Sequence, residues 1–224
     1  MIPDLTGVLA HDRTLPVVAP LAPLLPDGAL TRGRTFACSG VAATSLSLSL
    51  AVEAVTAGGW LAVVDLPWVG IEAAAELGVA LERLVRVDGG SWAETVAALV
   101  DGFELVVTRP PARTSAATVR KVQTRVQARE AVLVLVDEPA GRLRGAPVDV
   151  MLTTSRPTWH GVADGHGRLE VRRIDVESSG RRIPQPRRAT LWLPGPTGAL
   201  AATEQPDLVT LVLESAHQDD QIAV

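Results

Sequence analysis

The chain of 224 residues has one cysteine, no tyrosine and only 3% aromatic residues. A single cysteine, Cys38, excludes an internal disulfide and a zinc site built from several cysteines, and it suits a reducing cytosol. Set in an apolar stretch with no neighbouring histidine, it reads as a small core residue rather than a nucleophile. No strong excess of one charge exists either. The formal net charge of −4 gives the whole chain no bulk attraction for nucleic acid or an anionic membrane, so any such contact must come from a local patch. The start, "MIPDLTGVLAHDRTLPVV", lacks the basic-then-apolar order of a secretion signal. The longest apolar stretch, residues 46–66, is interrupted by Glu53 and Gly58-Gly59 and fails as a membrane span. The expectation is a cytoplasmic protein with no membrane contact.

What is present is a globular composition, 47% apolar and 21% charged, long enough for one sizeable domain. Residues 1–30 carry Pro3, Pro16, Pro20, Pro23 and Pro26, a density that forbids a long helix and predicts an extended lead-in with short helical turns. Leu21, Leu24 and Leu25 are its candidates for packing on the main body. Residues 31–195 alternate strand-like and helix-like segments. Continuous apolar runs at 35–38, 61–65, 84–87, 104–108, 132–137 and 149–153 have the character of strands covered on both faces.

Helix signals lie between those runs. Ser91 and Glu94 have the spacing of a capping box, with Gly102 as a stop. In the segment from Thr114 to Glu130, Val119, Val122 and Val126 share one face while Arg120, Lys121, Arg125 and Arg129 lie mostly elsewhere. "SLSLSLAV" alternates with period two, yet it runs on through alanines to a Gly-Gly stop, so residues 45–57 are assigned to a helix. Beyond residue 155, "GRLEVRRIDVES" and "RRATLWLPG" alternate as half-buried antiparallel strands. Residues 196–224 are read as a linker, a short amphipathic helix capped by Asp207, and a polar tail. The fold class is α/β: a mainly parallel sheet flanked by helices, with a C-terminal antiparallel extension.

The stretch with chemistry to explain is "ACSGVAATSLSLSLAVEAVTAGGW", residues 37–60, which has the outline of a phosphate-binding loop. Such a loop needs glycines for close backbone approach, a lysine for the β and γ oxygens, and a hydroxyl for magnesium. Here Ser39 or Gly40 stands at the first glycine, Thr44 at the second and Ser45 at the lysine. The hydroxyl position falls on Leu46 or Ser47. Where a strand would offer an aspartate to magnesium, the chain has Thr108 followed by Arg109 and Pro110. Asp137-Glu138 is a substitute acid pair in principle, but the preferred reading is a solvated turn before Pro139. Two independent losses argue against hydrolysis; the dipole and free amides at the helix start still allow loose nucleotide binding, and no cofactor or metal is expected.

The run from Arg34 to Val87, with "FELVVTRPP" after it, resembles the core of RecA over roughly residues 30–154. The degenerate loop, the proline-rich lead and the "GRLEVRR…RRATLWLPG" end are most similar to the ImuA-type (ImuA-prime) accessory proteins of SOS mutagenesis. That resemblance implies a non-catalytic adapter in translesion synthesis and DNA repair, associated with the nucleoid on DNA damage. It implies as partner ImuB, a catalytically inactive Y-family polymerase homologue. Through ImuB it implies a sliding clamp and an error-prone C-family polymerase, with RecA as a secondary partner. The departures at Thr44, Ser45 and Thr108 remove the basis for carrying over ATPase activity and filament formation, not the adapter role.

Other candidates are read from the residues themselves. Arg172, Arg173, Arg181, Arg182, Arg187 and Arg188, with Arg168, concentrate in one stretch against Glu170, Asp175 and Glu177. They form either a patch that meets DNA phosphates or the acidic surface of a partner, or an ordinary charged outer face. Trp192 is assigned to the core. His160 and His166 lack a third metal ligand and read as loop histidines beside glycines. No GxSxG elbow, HExxH or cysteine–histidine pair is present. In the terminal segment Leu208, Leu211, Val212 and Ser215 share one side of the expected helix. They either dock outward on a partner or fold back on the sheet. Two alternatives to the adapter stand beside it: a RecA-like ATPase with an atypical site, and a structural interaction module unrelated to repair.

Overall fold

The computed structural model describes residues 13–203 apart from 139–142, 144–145 and 164–165. The strands are β1 (Thr14–Leu15), β2 (Leu30–Thr31), β3 (Thr35–Gly40), β4 (Leu61–Val64), β5 (Leu84–Val87), β6 (Leu105–Thr108), β7 (Val132–Asp137), β8 (Val150–Ala163), β9 (His166–Ser179), β10 (Arg187–Trp192) and β11 (Ala201–Ala202). The α-helices are α1 (Ala43–Ser49), α2 (Val52–Thr56), α3 (Ile71–Glu76), α4 (Trp92–Leu99) and α5 (Ala116–Arg129). Nine strands form one sheet in the order β11-β10-β9-β8-β3-β7-β6-β4-β5. From β8 to β5 every pair is parallel, and from β8 outward to β11 every pair is antiparallel. The architecture is therefore the expected RecA-like α/β sheet with an antiparallel C-terminal extension.

The apolar runs produce this sheet because both of its faces are covered. Alternate residues of one strand enter different cores: Leu61 and Val63 join one cluster, Ala62 and Val64 the other. The same division separates Val132, Val134 and Val136 from Leu133 and Leu135. Strand β3 lies at the middle, between β7 and β8, and its Cys38 is fully buried.

Three local expectations are corrected. The helix read over residues 45–57 begins at Ala43 and is broken at Leu50-Ala51, giving two short helices that bury Leu46, Leu48, Leu50 and Val52. Ser91 does sit at the helix start, but its side chain makes no capping hydrogen bond. The working side-chain cap belongs to Ser115, which accepts from the Thr118 N–H at 3.1 Å. Ala201–Ala202, read as linker, pairs with β10 as an edge strand. The expected terminal helix, with Leu208, Leu211, Val212 and Ser215, lies outside the described residues.

The proline-rich lead forms a 3₁₀ helix, Ala19–Leu24, with a proline in its first turn. Leu21, Leu24, Leu25 and Leu30 are all buried in the larger core. The Arg187 guanidinium holds the end of this helix by donating to the Pro23 and Leu25 carbonyls. Burial of each leucine is worth roughly 1.5–3 kcal/mol. Leu24→Ala should therefore cost about 2–4 kcal/mol of stability in urea unfolding. A loss within the error of the measurement would mean that the lead does not belong to the core.

Candidate functional site

The loop between β3 and α1 is only two residues long, and its shape depends on Gly40. That residue has φ of 96°, and a Cβ there would lie 2.1 Å from the Thr154 carbonyl oxygen on β8. No side chain fits at that approach. The strand can thus turn into the helix tightly against β8, and the backbone amides of the turn come to face inward.

The first amides of a helix have no partner within it, and in a nucleotide-binding loop phosphate oxygens take them. Here the chain supplies the oxygens itself. The Ala42 N–H donates to Thr154 Oγ1 at 3.1 Å, and the Thr154 hydroxyl donates to the Ser39 carbonyl at 3.0 Å. The Thr44 N–H donates to Glu138 Oε2 at 3.4 Å, and the Thr44 hydroxyl donates to the same oxygen at 2.9 Å. A carboxylate at a helix start is favoured by the dipole as a phosphate would be. Glu138 thereby occupies the chemical position of the anion.

The remaining residues of the loop pattern are also committed. Ser45 is half-buried, and its carbonyl accepts from the Ser49 hydroxyl. At the magnesium-hydroxyl position Leu46 and Ser47 are both fully buried, and the Ser47 hydroxyl donates to the Ala43 carbonyl at 2.8 Å. Thr108, where an acid would hold the metal, is buried and accepts from Trp92 Nε1 at 2.8 Å. Its role is to fix the Trp92 ring of α4.

Asp137-Glu138 is not a solvated turn, which corrects the sequence reading. Asp137 is buried; one of its oxygens accepts from the Ser39 hydroxyl at 3.1 Å and the other from the Leu143 N–H at 3.2 Å. Glu138 is half-buried against Thr44. Ser39 thus does have a carboxylate beside it, but the pair is shut inside the protein. Beside this plug, Val41 of the loop and Trp68 are large exposed residues, and Trp68 Nε1 donates to Thr44 Oγ1 at 3.2 Å. The Arg109 guanidinium stacks over the Trp68 ring at 3.9 Å and donates to the Glu138 carbonyl at 3.2 Å.

The structure does not gather the six C-terminal arginines into one patch. Arg172 is half-buried, stacks on Trp159 at 4.9 Å and donates through Nε to the Leu193 carbonyl at 2.7 Å. Burial pushes its pKa down, and attraction to Glu138 partly offsets this. Arg173 is exposed on β9, Arg188 pairs with Glu177 at 2.7 Å, and Arg187 anchors the lead. Arg181 and Arg182 share Asp149 at 3.5 and 4.0 Å. His160 and His166 are strand residues of β8 and β9 rather than loop residues, and the His160 ring meets the buried Trp192 edge-on at 5.3 Å. No group of three metal-ligating side chains exists among the described residues. None of their helices is long and apolar enough to cross a membrane.

The helix-flanked, mainly parallel sheet is an α/β domain with a RecA-like fold. The structure of the RadB recombinase aligns with a TM-score of 0.56 over 84% of this chain and 97% of that one, at 13% identity, a likeness of fold alone. In sequence, residues 23–141 match the MT3502 N-terminal domain family, to which the chain belongs. The uncharacterized protein Rv3395c of Mycobacterium tuberculosis is 32% identical over 168 residues, covering 70% of this chain and 80% of that protein.

Sequence reasoning missed Glu138 and Thr154 as the groups that complete the loop. Their partners lie 94 and 112 residues away, and no local pattern signals such a pairing. Cys38 is as expected a core residue, and burial pushes its thiol up to about 12 from 9.0. Its protonated form is the one the fold favours, so this contribution is complete below pH 9 and is lost as pH rises toward 12. A disulfide thiol reagent at pH 8 should modify Cys38 no faster than the protein unfolds, and labelling at the rate of a free thiol would contradict the burial.

Proposed function

We propose that this chain is a non-catalytic RecA-like adapter of DNA-damage-induced mutagenesis of the ImuA type. Its partner is an inactive Y-family polymerase homologue (ImuB), within an assembly that holds an error-prone C-family polymerase and, through ImuB, the sliding clamp. RecA is a secondary partner, and the setting is the cytoplasm, with recruitment to the nucleoid on DNA damage. The observation that carries the reading is the Glu138 carboxylate at the start of α1, held by both the N–H and the hydroxyl of Thr44. A triphosphate at this point would face a fixed negative charge, with no lysine at Ser45 to offset it. The exposed Val41 and Trp68 beside the loop, with Arg109 stacked on the tryptophan, have the composition of a protein contact, tryptophan and arginine being enriched in such surfaces.

Calorimetry with ATP and magnesium should register no binding in the micromolar range. ATP binding there with turnover would replace this reading with that of a nucleotide-dependent enzyme. Ser45→Lys alone should release no phosphate from ATP, because Glu138 and Thr108 are unchanged; phosphate release by that variant would mean the site has been misassigned. Affinity purification from DNA-damaged cells should recover the Y-family homologue. Removal of residues 205–224 should weaken that recovery if Leu208, Leu211, Val212 and Ser215 are contacts. Recovery of no polymerase-like protein would favour a module unrelated to repair.

A further inference from the structure

The opposite end of β3 carries a second feature that the plugged loop does not explain. Where β3 begins, roughly 17 Å along the strand from Gly40, two open cavities of about 310 and 760 Å³ lie side by side. They share Arg34, Gln127, Asp149 and Arg181 as walls, so they form one continuous groove. Arg120 of α5 lines one of the two cavities and Arg182 the other. The groove therefore gathers four guanidinium groups from three separate parts of the chain.

Their charge is only partly answered. Arg34 and Arg120 make no side-chain hydrogen bond or ion pair among the described residues. Arg181 and Arg182 share the single carboxylate of Asp149, whose other oxygen accepts from the Thr35 N–H at 3.0 Å. Asp27, the other acid in the walls, accepts from the Thr31 hydroxyl at 2.7 Å. Four cations against two acids leave an excess of two positive charges in a chain whose net charge is −4. The other arginines of α5 contrast with this: Arg125 and Arg129 are both bound to Asp101.

We infer that this groove is a site for the phosphodiester backbone of nucleic acid, with Arg34, Arg120, Arg181 and Arg182 as the phosphate-binding groups. Guanidinium forks fit phosphate oxygens, and the Gln127 amide adds a neutral donor along one wall, where the Gln123 amide and the Thr124 hydroxyl donate to the Pro147 and Arg120 carbonyls. No aromatic residue lines either cavity, so the groove has no stacking platform for a base and reads no sequence. A continuous open trough suits a strand running through it better than it suits a single nucleotide, which needs a pocket for its base. The site is independent of the adapter role: the plugged loop and the groove lie at opposite ends of the strand.

The test is fluorescence anisotropy with the full chain and labelled oligonucleotides of random sequence, titrated with salt. Three to four phosphate contacts predict a slope of log K against log salt of about −3, or a loss of ~60-fold between roughly 50 and 200 mM. The double variant Arg34→Gln, Arg120→Gln should bind at least about tenfold more weakly and lower the slope by about one unit for each arginine removed. Arg129→Gln, which removes a charge from the same helix outside the groove, should bind as the parent does. Unchanged melting temperatures show that the variants fold. Binding by the double variant equal to that of the parent would overturn the inference, as would an equal loss in Arg129→Gln. Displacement of the oligonucleotide by polyglutamate at matched charge would overturn it in favour of an acidic protein segment.

Discussion

A helix that starts inside a protein must find oxygens for its first amides, and the way this chain meets that demand governs the centre of the molecule. In a nucleotide-binding loop the ligand provides those oxygens and the empty loop waits for it in water. Here Thr154 from β8 and Glu138 from the end of β7 provide them, so the strands on either side of β3 are tied to the helix that follows β3. The arrangement requires Gly40, because only a residue without Cβ can let the turn approach the Thr154 carbonyl at that distance. It also requires a carboxylate whose charge the helix dipole and the Thr44 hydroxyl hold in place. A ligand phosphate competing for the same amides would have to displace an anion already tethered at high local concentration.

The same tether explains why the neighbouring polar residues are buried without being reactive. Asp137 meets a hydroxyl and an amide, Thr108 meets an indole N–H, and Ser47 meets a carbonyl. Each is satisfied, so each contributes to rigidity rather than to chemistry. A nucleophile or base would need solvent access and an unspent lone pair or proton. What faces solvent beside the loop is instead Val41 and Trp68, with an arginine stacked on the tryptophan. That surface has the residue types on which the proposed adapter role rests.

The fold was legible because burial on both faces writes long apolar runs into a sequence, and such a run matches β7 residue for residue; β5 matches its run as well, although it is a half-buried edge strand with Arg86 exposed. The edges of elements were less legible, since a break such as Leu50-Ala51 depends on packing rather than on local propensity. The degenerate loop was visible in the residue types at Thr44, Ser45 and Thr108. Its plug was not, because a hydrogen bond between residues 44 and 138 leaves no trace in either neighbourhood. The reading of Asp137-Glu138 as a solvated turn followed from the proline after it, and local chemistry there was overruled by a distant threonine.

Charge in sequence and charge in space part company for a geometric reason. A strand sends successive side chains to opposite faces, so a run of arginines along β9 and β10 cannot form one patch. The structure spends them on a carbonyl, a carboxylate and the proline-rich lead in turn. Arg181 and Arg182 escape this division because they lie in the turn between β9 and β10, where alternation ends. There they meet Arg34 at the start of β3, and Arg181 shares a cavity with Arg120 of α5; Arg34 and Arg120 lie 147 and 61 positions before Arg181. Topology makes that cluster: the parallel β3–β8 pairing returns β9 antiparallel, which brings its far end back to the edge where β3 begins. The arginine cluster is therefore a property of the strand order, and one central strand joins an end that carries its own anion to an end with a local excess of cations.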